Sequence, residues 1–147
     1  MAFKLGQNAK LYRNTGTFAS PTWTEISNVK DLDLSLEKDK SEVTTRGGGG
    51  WKLTVATLKD AKIEFEMIWD TADAAFTAIR NSFLNDTVVE FLVLDGPVGT
   101  SGNQGLRAEC MVASFTRSEK LTEALMVKVS TQPTYSTNGP PTWYTVP

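Results

Sequence analysis

The chain has 147 residues, of which 40% are hydrophobic and 22% are charged, and its formal net charge is −2. These values are typical of one globular domain with a hydrophobic core, and they give no sign of a general affinity for nucleic acid or anionic membranes. The absence of histidine excludes Ser-His and Cys-His nucleophile pairs, and the single cysteine, Cys110, excludes a disulfide within the chain.

Short strands separated by turns are predicted in the first quarter of the chain. Residues 9–13 (AKLYR) and 23–29 (WTEISNV) have strand character, and a Gly- and Pro-containing turn separates them. In residues 31–39 (DLDLSLEKD), Leu32, Leu34 and Leu36 alternate with the polar residues Asp33, Ser35 and Glu37. This alternation predicts a strand with one dry and one solvated face.

A long flexible loop is predicted at about residues 38–52, and it contains four consecutive glycines. A phosphate-binding loop would need spaced glycines followed by Gly-Lys-Ser/Thr and a helix, whereas residues 47–50 lead into a strand pattern. Two interpretations stay open. The segment is either a flexible hairpin loop or a segment that is mobile in the monomer and becomes ordered against a partner.

The strand pattern resumes after the glycines. A turn is predicted at residues 58–60, and residues 61–70 (AKIEFEMIWD) alternate again between apolar and polar side chains. Glu64 and Glu66 therefore share one face of an antiparallel sheet. That face is either simply solvated or lines a water-filled passage.

A helix is predicted at about residues 71–84, where apolar residues recur at helical spacing. Asp70 is the expected N-cap, and Asp73 is expected in the first turn, where negative charge is favoured. Helix capping accounts for both aspartates without a catalytic or metal-binding role. The single apolar stripe of the helix predicts that it lies on a sheet.

Three further strands are predicted, followed by a proline-containing tail. Residues 87–95 are nearly all apolar, which is expected of a strand covered on both faces. Residues 106–117 and 123–134 form two more strands, and Cys110 is expected to be a buried, inert thiol in the first of them. Residues 136–147 contain prolines and are predicted to form an extended C-terminal arm.

The predicted fold is mainly β: an antiparallel β-sandwich or barrel with one flanking α-helix. The expected domain covers residues 1–135. Trp23, Trp51 and Trp143 lie near the ends of predicted segments. Exposed tryptophans would suit a monomeric β-sandwich module that binds carbohydrate, whereas packed ones would close a core or anchor an interface.

The order of these segments resembles the tail tube (major tail) proteins of long-tailed bacteriophages. The resemblance covers about residues 5–135. It rests mainly on DLDLSLEKDKSEVTTR before the glycine loop, IEFEMIWD before the helix, and the later FLVLDG and SFTRSEKLTEALMVKVSTQPT. It is a match of pattern and order, without a catalytic motif.

The resemblance implies a structural, non-enzymatic subunit that forms hexameric rings, which stack into a hollow tube around a DNA-conducting lumen. No cofactor, metal or membrane partner is expected. The partners are copies of the chain itself and other tail proteins at the tube ends, while DNA passes without specific binding. The location is the virion tail, after synthesis in the host cytoplasm.

The resemblance also assigns roles to particular residues. A loop that reaches the adjacent ring matches Glu42, Val43, Thr44, Thr45, Arg46, Gly47, Gly48, Gly49, Gly50 and Trp51. An acidic wall avoids the counterion-release attraction that a basic wall has for DNA. The solvated strand faces that carry Glu64 and Glu66, and Asp33 and Glu37, are the candidates for such a lumen wall, and which of the two sets faces inward stays open.

Overall fold

The computed structural model describes residues 3–147, which form eight β-strands and one α-helix. The strands are β1 (Lys10–Asn14), β2 (Trp23–Glu25), β3 (Val29–Glu42), β4 (Thr54–Ile68), β5 (Val89–Leu94), β6 (Gln104–Ser118), β7 (Met126–Pro133) and β8 (Thr142–Thr145). The helix α1 spans Ala74–Asn85, and short 3-10 helices lie at Gly6–Asn8 and Arg46–Gly48. The predicted class, mainly antiparallel β with one helix, is confirmed.

The strands form one antiparallel sheet in the order β2-β1-β5-β6-β7-β4-β3, and β8 pairs with β6 beside this path. The sheet is strongly curled. Phe65 on β4 and Phe91 on β5 have ring centroids 5.9 Å apart, although two strands separate β4 from β5. In a flat sheet three strand spacings would place them about 14 Å apart.

The main hydrophobic core fills the inside of this curl. Phe65, Phe91 and Ile63 lie in it, and α1 adds Phe76 and Ile79. A second, smaller cluster on the other face of β5 contains Tyr12, Leu92, Leu94 and Val146. The prediction that the segment around β5 is covered on both faces is therefore confirmed.

Cys110 lies in the main core with no exposed surface. Burial raises the pKa of its thiol to about 12, so the thiolate is absent at neutral pH. The predicted buried thiol is confirmed.

The helix begins later than predicted. Asp73 is the N-cap, since its Oδ2 accepts a hydrogen bond of 3.1 Å from the Phe76 amide. Asp70, the predicted cap, instead accepts from the Ala72 amide at 3.0 Å and shapes the preceding turn. Either aspartate offers a capping oxygen, and the helix that starts at Ala74 buries Ala75, Phe76 and Ile79.

The predicted turn at residues 58–60 is wrong, because β4 runs through it. Lys59 and Asp60 pair with Lys38 and Glu37 of β3, so this segment is part of the paired β3 and β4 strands. It reads as a turn because none of its side chains is buried. Residues 38–42 are also strand, and the connection between β3 and β4 is shortened to residues 43–53.

The C-terminal segment is only partly an arm. Residues 142–145 form β8 on β6, and Val146 is buried in the smaller cluster. The prolines at 140 and 141 precede this strand instead of interrupting it, which allows pairing at an open position of the sheet. A domain boundary at residue 135 stays a prediction. Within residues 3–147, no helix has the length and apolar character needed to cross a membrane.

Candidate assembly surface

The β3–β4 hairpin extends well beyond the body of the molecule. β3 and β4 pair from Val29–Met67 to Glu42–Thr54, whereas β7 pairs with β4 only from residue 63 onward. Residues 36–42 and 54–60 are exposed on both faces. Residues 36–60 are termed the projecting hairpin. A two-stranded hairpin without further cover is marginally stable in water, so this segment calls for a partner.

The tip of the projecting hairpin has a defined turn geometry. The Val43 amide donates to the Leu53 carbonyl at 2.9 Å, and the Leu53 amide donates to Thr44 Oγ1 at 3.0 Å. Gly49 and Gly50 have φ angles of 67° and 86°. Only glycine adopts such angles readily, so two of the four glycines are needed to reverse the chain.

Exposed apolar side chains are concentrated on the projecting hairpin. Trp51 is 75% exposed and Leu58 is 70% exposed. The other large apolar side chains exposed along this segment are Leu36, Val43, Leu53 and Val55. Such a concentration on one small element marks an interaction surface.

The predicted lumen residues lie together on one face of the sheet. Asp33 stands directly opposite Glu64, and the alternation of β3 and β4 places Glu37 and Glu66 on the same side. Glu64 and Glu66 are half-buried rather than part of the core. This surface of β3, β4 and β7 is termed the acidic face.

Carboxylates oppose one another across the β3–β4 ladder of the acidic face. The pairs are Asp31–Glu66, Asp33–Glu64 and Glu37–Asp60. Like charges directly opposite one another destabilise a strand pair, so these carboxylate pairs do not stabilise the isolated subunit. Lys62 and Lys128 also lie on this face and balance only part of its charge.

One ion pair joins two residues of the acidic face. Lys62 Nζ lies 2.7 Å from Glu64 Oε1. This hydrogen bond lowers the pKa of Glu64 and raises the pKa of Lys62. Glu64 therefore stays ionised well below neutral pH.

Two strand edges are open at the ends of the four-stranded part of the sheet, β6-β7-β4-β3. In the described chain, β3 pairs with β4 along one edge and with no strand along its other edge. On β6, pairing with β5 stops at Cys110, although the strand continues to Ser118. Open edges of this length invite pairing with another chain.

The tryptophans do not form one binding platform. Trp23 packs edge-on against Tyr144, with ring centroids 6.3 Å apart, and lies under the Arg107 guanidinium. Trp143 donates its indole N–H to Gln104 at 2.9 Å. Trp51 stands apart from both, on the tip of the projecting hairpin. The geometry gives no support to a stacked sugar site shared among them.

Sequence reasoning missed several contributors to these surfaces. Asp31 and Asp60 complete the acidic pairs, and alternation alone would have placed both on that face. The open edges of β3 and β6 leave no signal in the sequence, because strand order is set by long-range pairing. Among residues 3–147, no group of three or more His, Cys, Asp or Glu side chains could hold a metal ion.

Solved structures share this fold at low sequence identity. The tail of an empty gene transfer agent particle, refined with C6 symmetry, matches with a TM-score of 0.74 and 13% identity over 99% of this chain and 100% of that chain. The SPP1 tail tube matches with a TM-score of 0.70 and 14% identity over 88% and 74%. The sheath-tube complex of an extracellular contractile injection system matches with a TM-score of 0.63 and 9% identity over 95% and 89%. The fold is thus that of a tail-tube subunit.

The sequence itself identifies the family. The model of the phage tail tube protein family matches residues 8–136, which is most of the chain. No curated protein matches the sequence significantly. The chain belongs to the phage tail tube protein family, and it is a structural component of a phage-type tail.

Proposed function

We propose that copies of this chain form hexameric rings, and that the rings stack into a tube through which DNA passes. The observation that carries the proposal is the projecting hairpin, which is exposed on both faces and has an unpaired β3 edge. The C6 symmetry of the gene transfer agent tail supports six copies per ring.

Ring formation is the first step. The free edge of β3 in one copy would pair with the free edge of β6, residues 111–118, in the next copy. Each added copy leaves one open edge at each end of the sheet until the ring closes. Closure satisfies the backbone N–H and C=O groups of both edges, which a monomer exposes to water.

The acidic face lines the lumen in this arrangement. Its carboxylates, including the predicted Glu64, Glu66, Asp33 and Glu37, would then face the DNA. An acidic wall does not neutralise the DNA phosphates, so no counterions are released and DNA passes without specific binding. The opposing carboxylates, which are unfavourable for the isolated subunit, have a role in this setting.

The tip of the projecting hairpin contacts the neighbouring ring. Residues 42–51 carry the predicted inter-ring contact, and Trp51 is the large aromatic anchor. The tip is covered only when the neighbouring ring binds it, and this limits stacking by isolated subunits.

The tube has a cellular and structural setting besides its own subunits. The chain is made in the host cytoplasm and acts without catalysis. Other tail proteins bind the two ends of the tube. These inferences follow from membership of the family and from the resemblance, not from a site on the chain.

Electron microscopy of the purified protein over a range of concentrations tests the proposal. We expect rings and tubes at high concentration. A protein that stays monomeric at every concentration would refute it.

A deletion isolates the role of the tip. Removal of residues 44–50 should leave the circular dichroism spectrum unchanged and shorten the tubes. A variant with a Gly/Ser linker of equal length in place of 44–50 controls for chain length, and it should also give short tubes. Tubes of normal length from both variants would count against the inter-ring role of the tip.

A further inference from the structure

A groove of about 670 Å³ lies at the base of the projecting hairpin. Its apolar lining comes from the hairpin, from β6 and β7, and from the segment before β8. The apolar residues are Leu36, Ala61, Leu106, Pro133, Pro140 and Pro141. A groove of this volume has room for a large aliphatic side chain together with part of the segment that carries it.

Two lysines stand at the rim of this groove. Lys38 lies directly opposite Lys59, and the register from Leu36–Ala61 continues without a shift, so both lysines share the apolar side of the hairpin. Glu37 and Asp60 also border the groove, but alternation places them on the acidic face. Opposed lysines destabilise a ladder, and carboxylates placed between them would relieve the repulsion.

The loop between β6 and β7, residues 119–125, has the complementary chemistry. Leu121 is 101% exposed. It sits in a turn closed by a hydrogen bond from the Glu123 amide to the Lys120 carbonyl. Glu119 and Glu123 flank it, so the loop offers an apolar side chain between two carboxylates.

The present partners of these glutamates do not hold them firmly. Glu119 pairs with Arg117 and Glu123 with Lys120, and all four side chains are about half-exposed or more. Exposed ion pairs of this kind contribute little, so the carboxylates can exchange partners at small cost.

The loop and the groove lie at opposite ends of the same strand. β7 begins one residue after the loop and ends at Pro133, in the groove lining. Its eight residues span about 25 Å, which prevents a copy from filling its own groove with its own loop. A contact between unlike ends of two copies repeats in one direction and builds a filament.

We propose that the β6–β7 loop of one copy docks in the groove at the base of the projecting hairpin of a second copy, in the next ring. Leu121 enters the apolar groove, and Glu119 and Glu123 face Lys38 and Lys59. This contact rests on the proposed stacking of rings, and it defines a second inter-ring contact besides the hairpin tip.

Cysteine cross-linking tests the contact directly. The double variant Leu36→Cys and Leu121→Cys should form disulfide-linked ladders of many copies in oxidised tubes. Each single variant should give monomers or, at most, dimers, and the buried Cys110 does not compete. Wild-type protein that forms no tubes would refute the proposed function and this contact together. Tubes that form but give no ladder in the double variant would overturn this contact alone.

A charge exchange gives an independent readout. The pair E119K and E123K, and separately the pair K38E and K59E, should each raise the critical concentration for tube growth about tenfold, because like charges then meet. All four changes in one chain restore opposite charges and should return growth close to the wild-type value. Failure of this rescue, with all variants folded by circular dichroism, would overturn the proposal.

Discussion

The two halves of the β3–β4 hairpin share one ladder but differ in what surrounds them. In the half within the body, β7 supplies a second neighbour for β4, and one face packs into the core through Ile63 and Phe65. In the projecting half, residues 36–42 and 54–60 are exposed on both faces. The β3–β4 pairing thus runs through both halves, but only the body half has a second strand neighbour and buried side chains. These two features distinguish a sheet that is stable in the subunit from one that needs a partner.

The largest effect is expected in the body half. Phe65→Ala removes a 2%-exposed ring that contacts Phe91. We expect the free energy of unfolding of the unassembled subunit to fall by about 3–5 kcal/mol. Urea denaturation followed by circular dichroism measures this change, and a fall below about 1 kcal/mol would contradict the packing described for the core.

The matched change in the projecting half is Trp51→Ala. The side chain is 75% exposed, so the stability of the free subunit should change by no more than about 0.5 kcal/mol. The critical concentration for tube growth should rise about tenfold, since the anchor between rings is lost. Sedimentation of assembled protein gives that concentration. A large loss of subunit stability, or an unchanged critical concentration for tube growth, would contradict the difference described between the two halves of the hairpin.

Single hydrogen bonds should show the same contrast on a smaller scale. Asp73→Ala removes the N-cap of α1 and should destabilise the subunit by about 1 kcal/mol. Thr44→Val removes the hydroxyl that accepts from the Leu53 amide at the tip. The free energy of unfolding of the subunit should not change measurably. Asp70→Ala is the control for the cap, and it should cost less than Asp73→Ala when both are measured by urea denaturation.

The smallest effect concerns pH. The pKa of Glu64 is lowered by Lys62, so the pair adds stability above the unfolded pKa of glutamate and loses it as pH falls through the lowered folded value. The raised pKa of Lys62 adds stability below its unfolded value, which is lost as pH rises through the folded value. Lys62 is exposed and Glu64 is partly exposed, so solvent screens the pair, and Glu64→Gln should only slightly flatten the acid limb of the stability profile. A large change would mean that the acidic face is buried in the free subunit.

Much of the fold is predictable from local pattern. The leucines of β3 and the apolar run of β5 each indicate strands, because burial on one or two faces leaves a clear periodicity. The predicted turn at 58–60 failed for the opposite reason. This part of β4 is exposed on both faces, so Lys59 and Asp60 break the apolar–polar alternation and resemble a turn in the sequence.

The candidate assembly surface was likewise only partly predictable from the sequence. Glu64 and Asp33 could be placed on a common face by alternation, and the glycine tip stood out by composition. The open β6 edge and the groove beside Pro133 could not be found, because both depend on which distant strands become neighbours. Asp73 rather than Asp70 caps α1, and the sequence could not decide between them because each offers the same local capping signal.

Hydrogen exchange shows whether other copies of the chain complete the projecting hairpin. In the unassembled subunit, we expect the amides of residues 37–42 and 54–60 to exchange rapidly, while those of β5 are strongly protected. In assembled tubes, the same hairpin amides should become protected. Strong protection of these amides in a subunit that remains monomeric would contradict the claim that other copies complete this part of the sheet.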